Sequence, residues 1–525
     1  MSFFSALLRS TIIPYRKDQL DHLRSLPACL LAQRSTLFHM TRYAQNTQFG
    51  LDHGFSEVNS VAEYQRRVPI RTYEDFFNNY FKPAGESAAQ KMGVSYDCQR
   101  DSPYLKDITW PGLTRFFSLS SGTTSGTTKF IPLTQELLFS NYKASIDLAV
   151  LHSTRNRKAN ALQGKIFLLG GNTNLRKEWD GHVQSGDLSG VTADQLPWFA
   201  KMKSFPKKNI TSISDWNQKT DQAAEASLTE DVGILGGVPS WVLLFLDRLN
   251  QKKRFKGNIK SVWPSFELLI HGGVAFDSYR AQFEEWLGHG VYYQEVYPAS
   301  EAFIAMEDPY YHTLRLMVDY GVFYEFVPLE ELNLPKPTRH TLAEVELGQN
   351  YAIALTTCGG LWSYLIGDTV RFVSKDPPLL KITGRTKFFL SAFGEHLIQE
   401  EIEKALTKAC QISNAQISDY HVAPIFPHSK APVGKHQYLI EFVKAPQNLE
   451  HFQKTLDQSL QELNEDYAAH RANGFGMAGP ELICAPNGFF NRWMTLNGKL
   501  GAQHKFPRIA NNRKLMEELL SDNSF

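Results

Sequence analysis

From Phe116 onward the chain is punctuated by short apolar runs, most of them closing on glycine: TRFFSLSSG, GKIFLLGG, SFELLIHGG and YAIALTT. Runs of about four to eight apolar residues bounded by turn residues, with helical sequence between them, predict buried strands of an α/β sheet. DVGILGGVPSWVLLFLDRLNQ reads as a glycine-rich loop entering a helix, with Pro239 near its start. Before this region, roughly the first hundred residues read as helices joined by short loops, and Leu20, Leu23, Leu26 and Leu30 recur at helical spacing on one face.

The texture changes again after KDPPLL, where Pro377 and Pro378 interrupt regular structure. Beyond it LIQEEIEKALTKA is helical and KHQYLIEFV alternates as a strand. A long helix then places Phe452, Leu456, Leu460, Leu463 and Tyr467 on one face. The predicted architecture is an α/β chain in two units. A large N-terminal domain, residues 1–380, holds mixed β-sheets flanked by helices; a hinge covers 381–390; a small C-terminal α+β lid domain covers 391–525. A length of 525 residues supports more than one domain.

Charge narrows the partners. Lys and Arg total 55 against 54 Asp and Glu, so no basic excess points to nucleic acid. No apolar stretch approaches the ~20 residues of a membrane span. The start, MSFFSALLRSTIIPYRK, lacks the basic leader and small-residue cleavage site of a secretory signal. The five cysteines are scattered without a C-x-x-C pair, which predicts reduced thiols rather than a zinc site. A cytoplasmic monomer is expected.

The sharpest local feature is SLSSGTTSGTTKFIP. Ser120, Ser121, Gly122, Thr123, Thr124 and Lys129 lie within it. Backbone N–H groups, hydroxyls and a lysine in one loop suit a polyphosphate, although the spacing is not that of a Walker P-loop. Downstream, Gly272 and Gly273 stand at a strand end where backbone can approach a flat ring. VYPASEAF sets Tyr297 four residues before Glu301. LWSYLIGDTVRF places Asp368 where a carboxylate can accept both hydroxyls of a ribose. GRTKFF and KLGAQHKFPR follow. Singly, each has a plain reading as a cap, a packed ring or a solvated charge.

Their order resembles the adenylate-forming superfamily that includes acyl-CoA synthetases and firefly luciferase. Within it the chain is most similar to the acyl-acid amido synthetases, the auxin-responsive family of plants and its bacterial relatives, through SSGTTSGTTK, YPASE, YLIGD and QHKFPR. The resemblance implies ATP-dependent adenylation of a carboxylic acid with Mg²⁺, then transfer of the acyl group to an amine, an amino acid in the first instance. Ser120, Ser121, Gly122, Thr123, Thr124 and Lys129 would hold phosphates. Gly272, Gly273, Tyr297, Ser300, Asp368 and Arg385 would form the remaining nucleotide site. Glu301 would ligate magnesium, and Lys505 would reach the α-phosphate and acyl carboxylate, with Lys499 its rival. Val238, Trp241 and Val242 would line the acyl pocket; the same residues also read as plain core. Two alternatives stay open: an acyl-CoA or carrier-protein thioester ligase, and a nucleotide-binding regulator without turnover. Leu365 and Ile366 after Tyr364, and Lys387 and Phe388 in the hinge segment, depart from the usual patterns.

Overall fold

A computed structural model of the chain describes residues 11–121, 128–156, 160–213, 215–273, 276–332, 334–386, 389–390, 397–426, 434–464, 467–468, 471, 477–497 and 506–521. The leucine periodicity near the start is carried by two helices rather than one. Helix α1 (Ile13–His22) ends at Leu23, and α2 (Leu26–Tyr43) begins with Pro27 in its first turn, where proline's missing N–H costs nothing. Arg16 ties α1 to the body through a bond of 2.7 Å to Asp147.

Asp147 lies on α3 (Gln135–Arg155), which follows the first hairpin. That hairpin, β1 (Phe116–Ser121) and β2 (Thr128–Leu133), forms a four-stranded sheet with β4 (Arg176–Glu178) and β5 (Val183–Gly186), in the order β2-β1-β5-β4. Strand β3 (Lys165–Leu168) lies between them in sequence but belongs to a second, larger sheet.

The larger sheet has 11 strands. Its parallel part joins β3 to β6 (Ser204–Phe205), β7 (Val232–Gly237), β8 (Leu268–Gly272) and β9 (Tyr292–Pro298). Helices α4 (Trp216–Ser227), α5 (Pro239–Lys252) and α6 (Asp277–Leu287) make the crossovers. Phe167, Leu235, Leu269, Phe245 and Trp263 pack between sheet and helices. The antiparallel part adds β10 (Phe303–Asp308), β11 (Thr313–Leu316), β12 (Val322–Pro328), β13 (Asn350–Thr357), β14 (Tyr364–Lys375) and β15 (Pro378–Arg385). Its order continues from β9 as β10, β11, β15, β14, β13, β12. Pro377 and Pro378 therefore mark a hairpin between β14 and β15, not the end of a unit, and the large sheet runs on to Arg385.

Beyond it come β16 (Phe389–Leu390), β17 (Leu397–Ile398), helix α7 (Gln399–Ser413), β18 (Gln416–Ile425), β19 (Lys435–Lys444), helix α8 (Leu449–Leu463) and β20 (Glu481–Ala485). Strands β18, β19 and β20 form a three-stranded sheet. Phe452, Leu456 and Leu460 of α8 pack on Ile402 and Leu406 of α7; Leu463 is exposed, and the helix stops before Tyr467. The mixed α/β architecture expected from the sequence is the one observed. Among the described residues no helix is long and apolar enough to cross a membrane.

Candidate active site

Parallel strands present their ligand-facing loops at their carboxyl ends, and here that edge opens into a cavity of about 1840 Å³. The first wall comes from the β1–β2 hairpin. Ser120 pairs with Lys129 across it, and both line the cavity. Lys129 Nζ stands 5.4 Å from the ring centre of Tyr73, whose hydroxyl accepts the Phe130 N–H at 2.8 Å. Gly122, Thr123 and Thr124 lie outside the described residues, as does the side chain of Ser121.

The second wall is the tip of the β9–β10 hairpin. Ala299 N–H donates to the Ala302 carbonyl at 2.8 Å, leaving Ser300 and Glu301 at the turn. The Ser118 hydroxyl donates to Ser300 Oγ at 3.3 Å, which joins the hairpin tip to β1. Glu301 accepts a hydrogen bond from the buried Tyr364 hydroxyl. Burial pushes the Glu301 carboxyl pKa up, while the charge of Lys129 and the Tyr364 bond pull it down.

The third wall is a bulge in β14. Pairing with β13 skips from Thr369 to Leu365, and Gly367 at φ 89° takes the left-handed backbone this needs. The bulge presents Asp368 to the cavity. Its Oδ2 accepts the Tyr297 hydroxyl at 2.7 Å, and its Oδ1 lies 3.0 Å from Arg385 Nε on the neighbouring β15. Burial first, then the Asp368 charge, drive the Tyr297 phenol pKa well above its ordinary value.

Gly272 and Gly273 also border the cavity, each with its own reason to be glycine. A Cβ on Gly272 would meet the Val296 carbonyl oxygen at 2.3 Å, so it is needed to seat β9. Gly273 has φ 84° and turns the chain out of β8. Val238 and Trp241 line the cavity, with Trp241 tilted on Trp216 at 4.9 Å. Val242 does not: it is fully buried in the core with Phe245 and Leu246, one residue around the helix from Trp241. Lys499 and Lys505 lie outside the described residues. The segment after Lys505 is strapped to β18, with the Val422 N–H donating to the Arg508 carbonyl at 2.8 Å and Arg508 Nε to Asp419 at 2.8 Å.

The structure thus brings Ser120, Lys129, Gly272, Gly273, Tyr297, Ser300, Glu301, Asp368 and Arg385 around one cavity. Sequence reasoning missed Tyr364, Tyr73 and Ser118. Tyr364 stood four residues before Asp368 in a quoted motif, whereas nothing local marks Tyr73, which is 56 residues from Lys129 in sequence.

Comparison with known proteins places the chain in a family. The sequence model of the GH3 family N-terminal domain matches residues 25–82, 101–183 and 171–291. That of its central domain matches 315–385, and that of its C-terminal domain 400–514. The indole-3-acetic acid-amido synthetase GH3.3 of Arabidopsis thaliana is 23% identical over 286 residues, covering 51% of this chain and 48% of that protein. A GH3 domain-containing protein of Homo sapiens is 26% identical over 241 residues, 43% and 44% of the two chains. The chain spans about half the length of the curated relatives it matches. Among solved structures, the GH3.15 acyl acid amido synthetase superposes with a TM-score of 0.74 at 18% identity, covering 96% of this chain and 95% of that one. A 2-hydroxyisobutyryl-CoA ligase holding 2-HIB-AMP superposes at 0.55 and 12% identity, covering 94% and 92%. At such identities these likenesses speak for the fold. With its three domain models matched in order along most of the sequence, the chain belongs to the GH3 family.

Proposed function

We propose that this protein uses ATP to convert a carboxylic acid to an acyl-adenylate and then passes the acyl group to an amine, an amino acid in the first instance. The observation that carries the reading is the convergence of Lys129 on β2, Glu301 at the β9–β10 turn and Asp368 on the β14 bulge around one cavity. The names of the relatives, amido synthetases in the main, support the amide half.

The chemistry accounts for each group. An acid oxygen attacks the α-phosphorus of ATP, and the bond to the pyrophosphate leaving group breaks. Two anions approach, so Lys129 and the β1–β2 loop serve to neutralise phosphate charge. Asp368 keeps lone pairs beyond those used by Tyr297 and Arg385, enough to accept ribose hydroxyls. Tyr297 offers its ring to adenine, and Ser300 lies beside the α-phosphate. An amine then attacks the activated carbonyl, AMP leaves, and the nitrogen loses a proton.

The donor set fits magnesium carried in with the nucleotide. Mg²⁺ is typically held by one or two carboxylates plus phosphate oxygens, and Glu301 is such a carboxylate; among the described residues no cluster of three or more ligating side chains offers a cage. When bound, the ion supplies positive charge to the phosphates, with Glu301 as its protein ligand. We assign the second half-reaction to motion of the lid, residues 391–525, about a hinge that begins after Arg385 rather than at 381, because residues 381–385 pair with β14 as part of β15, with Lys505 serving adenylation. Val238 and Trp241 remain as acyl-pocket residues; Val242 supports the helix behind them.

The test is acid-dependent exchange of labelled pyrophosphate into ATP, requiring Mg²⁺, followed by product analysis with amino acids and with coenzyme A. Exchange plus an acyl amide is the expected result. Release of ADP and orthophosphate on every active acid would overturn the adenylate; acyl-CoA as sole product would overturn the amide.

A further inference from the structure

Three cations are buried among the described residues: Arg16, Arg315 and Lys219. Arg16 is paired with Asp147 at 2.7 Å and Arg315 with Asp308 at 3.4 Å. Lys219, on α4 and 6% exposed, has no described carboxylate within 4.0 Å. Its ammonium donates to carbonyl oxygens, that of Gly171 at 3.1 Å and that of Gly170 at 3.5 Å, and stands 5.9 Å from the ring centre of Trp216, none of which carries a formal negative charge. The nearest acid, Asp187, is turned to the backbone, where Oδ2 accepts the Asn172 N–H at 2.9 Å. A buried charge without a counter-charge is costly unless something else supplies one.

Lys219 also borders the cavity. Gly170 and Gly171 follow β3 at the carboxyl edge of the parallel strands, the side where such sheets bind ligands. Three contacts and a short stretch of chain link this edge to Ser300. Gly171 N–H donates to Ser189 Oγ at 2.8 Å. Ser189 lies three residues after Gly186, which pairs with Ser118, and the Ser118 hydroxyl meets Ser300 at 3.3 Å. Burial pushes the Lys219 pKa down, and an arriving anion would restore it.

We infer that Lys219 forms a carboxylate subsite of this cavity, taking the carboxylate of the acceptor amino acid. This rests on the amide-forming reading above. The nucleotide's phosphates already have Lys129 and the β1–β2 loop. The acyl acid loses its own carboxylate charge on activation. An amino acid keeps its carboxylate through the whole reaction, so a fixed cation on the wall of the cavity that Ser300 also lines can hold it while the amine attacks. The other source of the same chemistry is the distal carboxylate of a dicarboxylic acyl acid.

The experiment compares leucine with isopentylamine, which is leucine without its carboxylate, as acceptors for wild type, Lys219→Met and Lys219→Arg. Loss of a charge-assisted contact should lower kcat/KM for leucine relative to isopentylamine about tenfold to a hundredfold in Lys219→Met. Lys219→Arg should recover part of that ratio. Because the methionine removes an unpaired buried charge, its Tm should equal or exceed wild type, which separates a folded variant from a collapsed one. An equal fall for both acceptors, or none, overturns the proposal. So does a loss confined to pyrophosphate exchange with dicarboxylic acids, which would give the subsite to the acyl acid. Exchange measured on wild type without any acceptor tests the adenylation reading separately. Should that fail, calorimetric binding of leucine against isopentylamine to wild type and Lys219→Met still decides the subsite, with equal binding overturning it.

Discussion

The phenol of Tyr297 on β9 donates to Asp368 on β14 at 2.7 Å, although three strands lie between theirs in the sheet. Neighbouring strands are about 4.8 Å apart, so on a flat sheet four steps would separate them by roughly 19 Å. Direct contact means that the sheet curls back on itself here. The curl brings the end of β9, with Ser300 and Glu301, next to the bulge that carries Asp368. The nucleotide site we propose is thus a product of sheet curvature as much as of the residues that line it.

If Asp368 holds a ribose, Asp368→Ala should weaken ATP binding by about 1.5–3 kcal/mol, the range for a hydrogen bond to a charged group. Tyr297→Phe keeps the ring and removes one bond to the carboxylate that Arg385 also supports. Its effect should be smaller, on the order of 1 kcal/mol. Direct titration of ATP into both variants checks the order; an unaltered affinity in Asp368→Ala places the ribose elsewhere.

The Glu301 carboxyl carries a raised pKa because it is buried, and the Tyr364 bond works against that rise. If ionised Glu301 is needed for activation, the acid limb of kcat/KM should lie above the ordinary glutamate value of about 4.3. Tyr364→Phe removes the hydrogen bond to the ionised form, so that limb should move to still higher pH. Glu301→Gln should remove the limb and lower adenylation by about a hundredfold, as loss of one electrostatic stabiliser does. A pH profile of pyrophosphate exchange on the three proteins tests the direction.

The glycine-punctuated runs were legible because a strand inside a sheet is an apolar stretch that ends where the chain must turn, whether its neighbours are parallel, as for β8, or antiparallel, as for β13. The strands beside the SSGTTSGTTK loop and the YPASE and YLIGD segments stood out because each is marked by local sequence, and the structure brings residues of all three to one cavity. What local sequence does not carry is which distant element closes the site. Tyr73 under Lys129 and Ser118 against Ser300 come from packing between segments 56 and 182 residues apart. Val242 and Trp241 read equally as pocket or core because a run of apolar residues on a helix does not announce which one faces a cavity; Trp241 lines the cavity and Val242 is core. Pro377 and Pro378 read as an interruption of regular structure, and local sequence does not say that a hairpin, rather than a linker, makes the interruption.

Acid stability should be governed first by histidines. His271, stacked on Phe276 with ring centres 3.6 Å apart, is pushed down to about 3 by burial, and His421 to about 4 for the same reason. Both folded-state values lie below the unfolded value of about 6.5. Between them the unfolded chain binds protons that the folded one does not. The stability these residues contribute is therefore present above pH 6.5 and lost as pH falls below it. By pH 4 each should cost on the order of 2–4 kcal/mol. Denaturant melts from pH 7 to 4 should show this slope, and His271→Gln should flatten it. A profile that stays level until the carboxylates protonate near pH 4 would contradict the assignment.

The last expectation concerns Lys505, which lies outside the described residues but directly before a well-anchored segment. His421 Nδ1 bonds the Pro507 carbonyl at 2.7 Å, and Arg508 reaches Asp419 at 2.8 Å and Glu403 at 3.0 Å. Those bonds fix the chain on β18, in the unit we propose as a moving lid. A lysine delivered by such a lid can serve the step in which negative charge builds at the α-phosphate and be withdrawn for the next. Lys505→Ala should then slow adenylation by about a hundredfold or more while transfer from supplied acyl-AMP falls much less. Because the anchor lies in Arg508 rather than in the lysine, Arg508→Met should weaken the same half-reaction through loss of position, and Lys505→Arg should restore part of what alanine removes. Separate assays of the two half-reactions on Lys499→Ala, Lys505→Ala and Arg508→Met settle it. Adenylation abolished in Lys499→Ala and untouched in Lys505→Ala would assign the role to the earlier lysine.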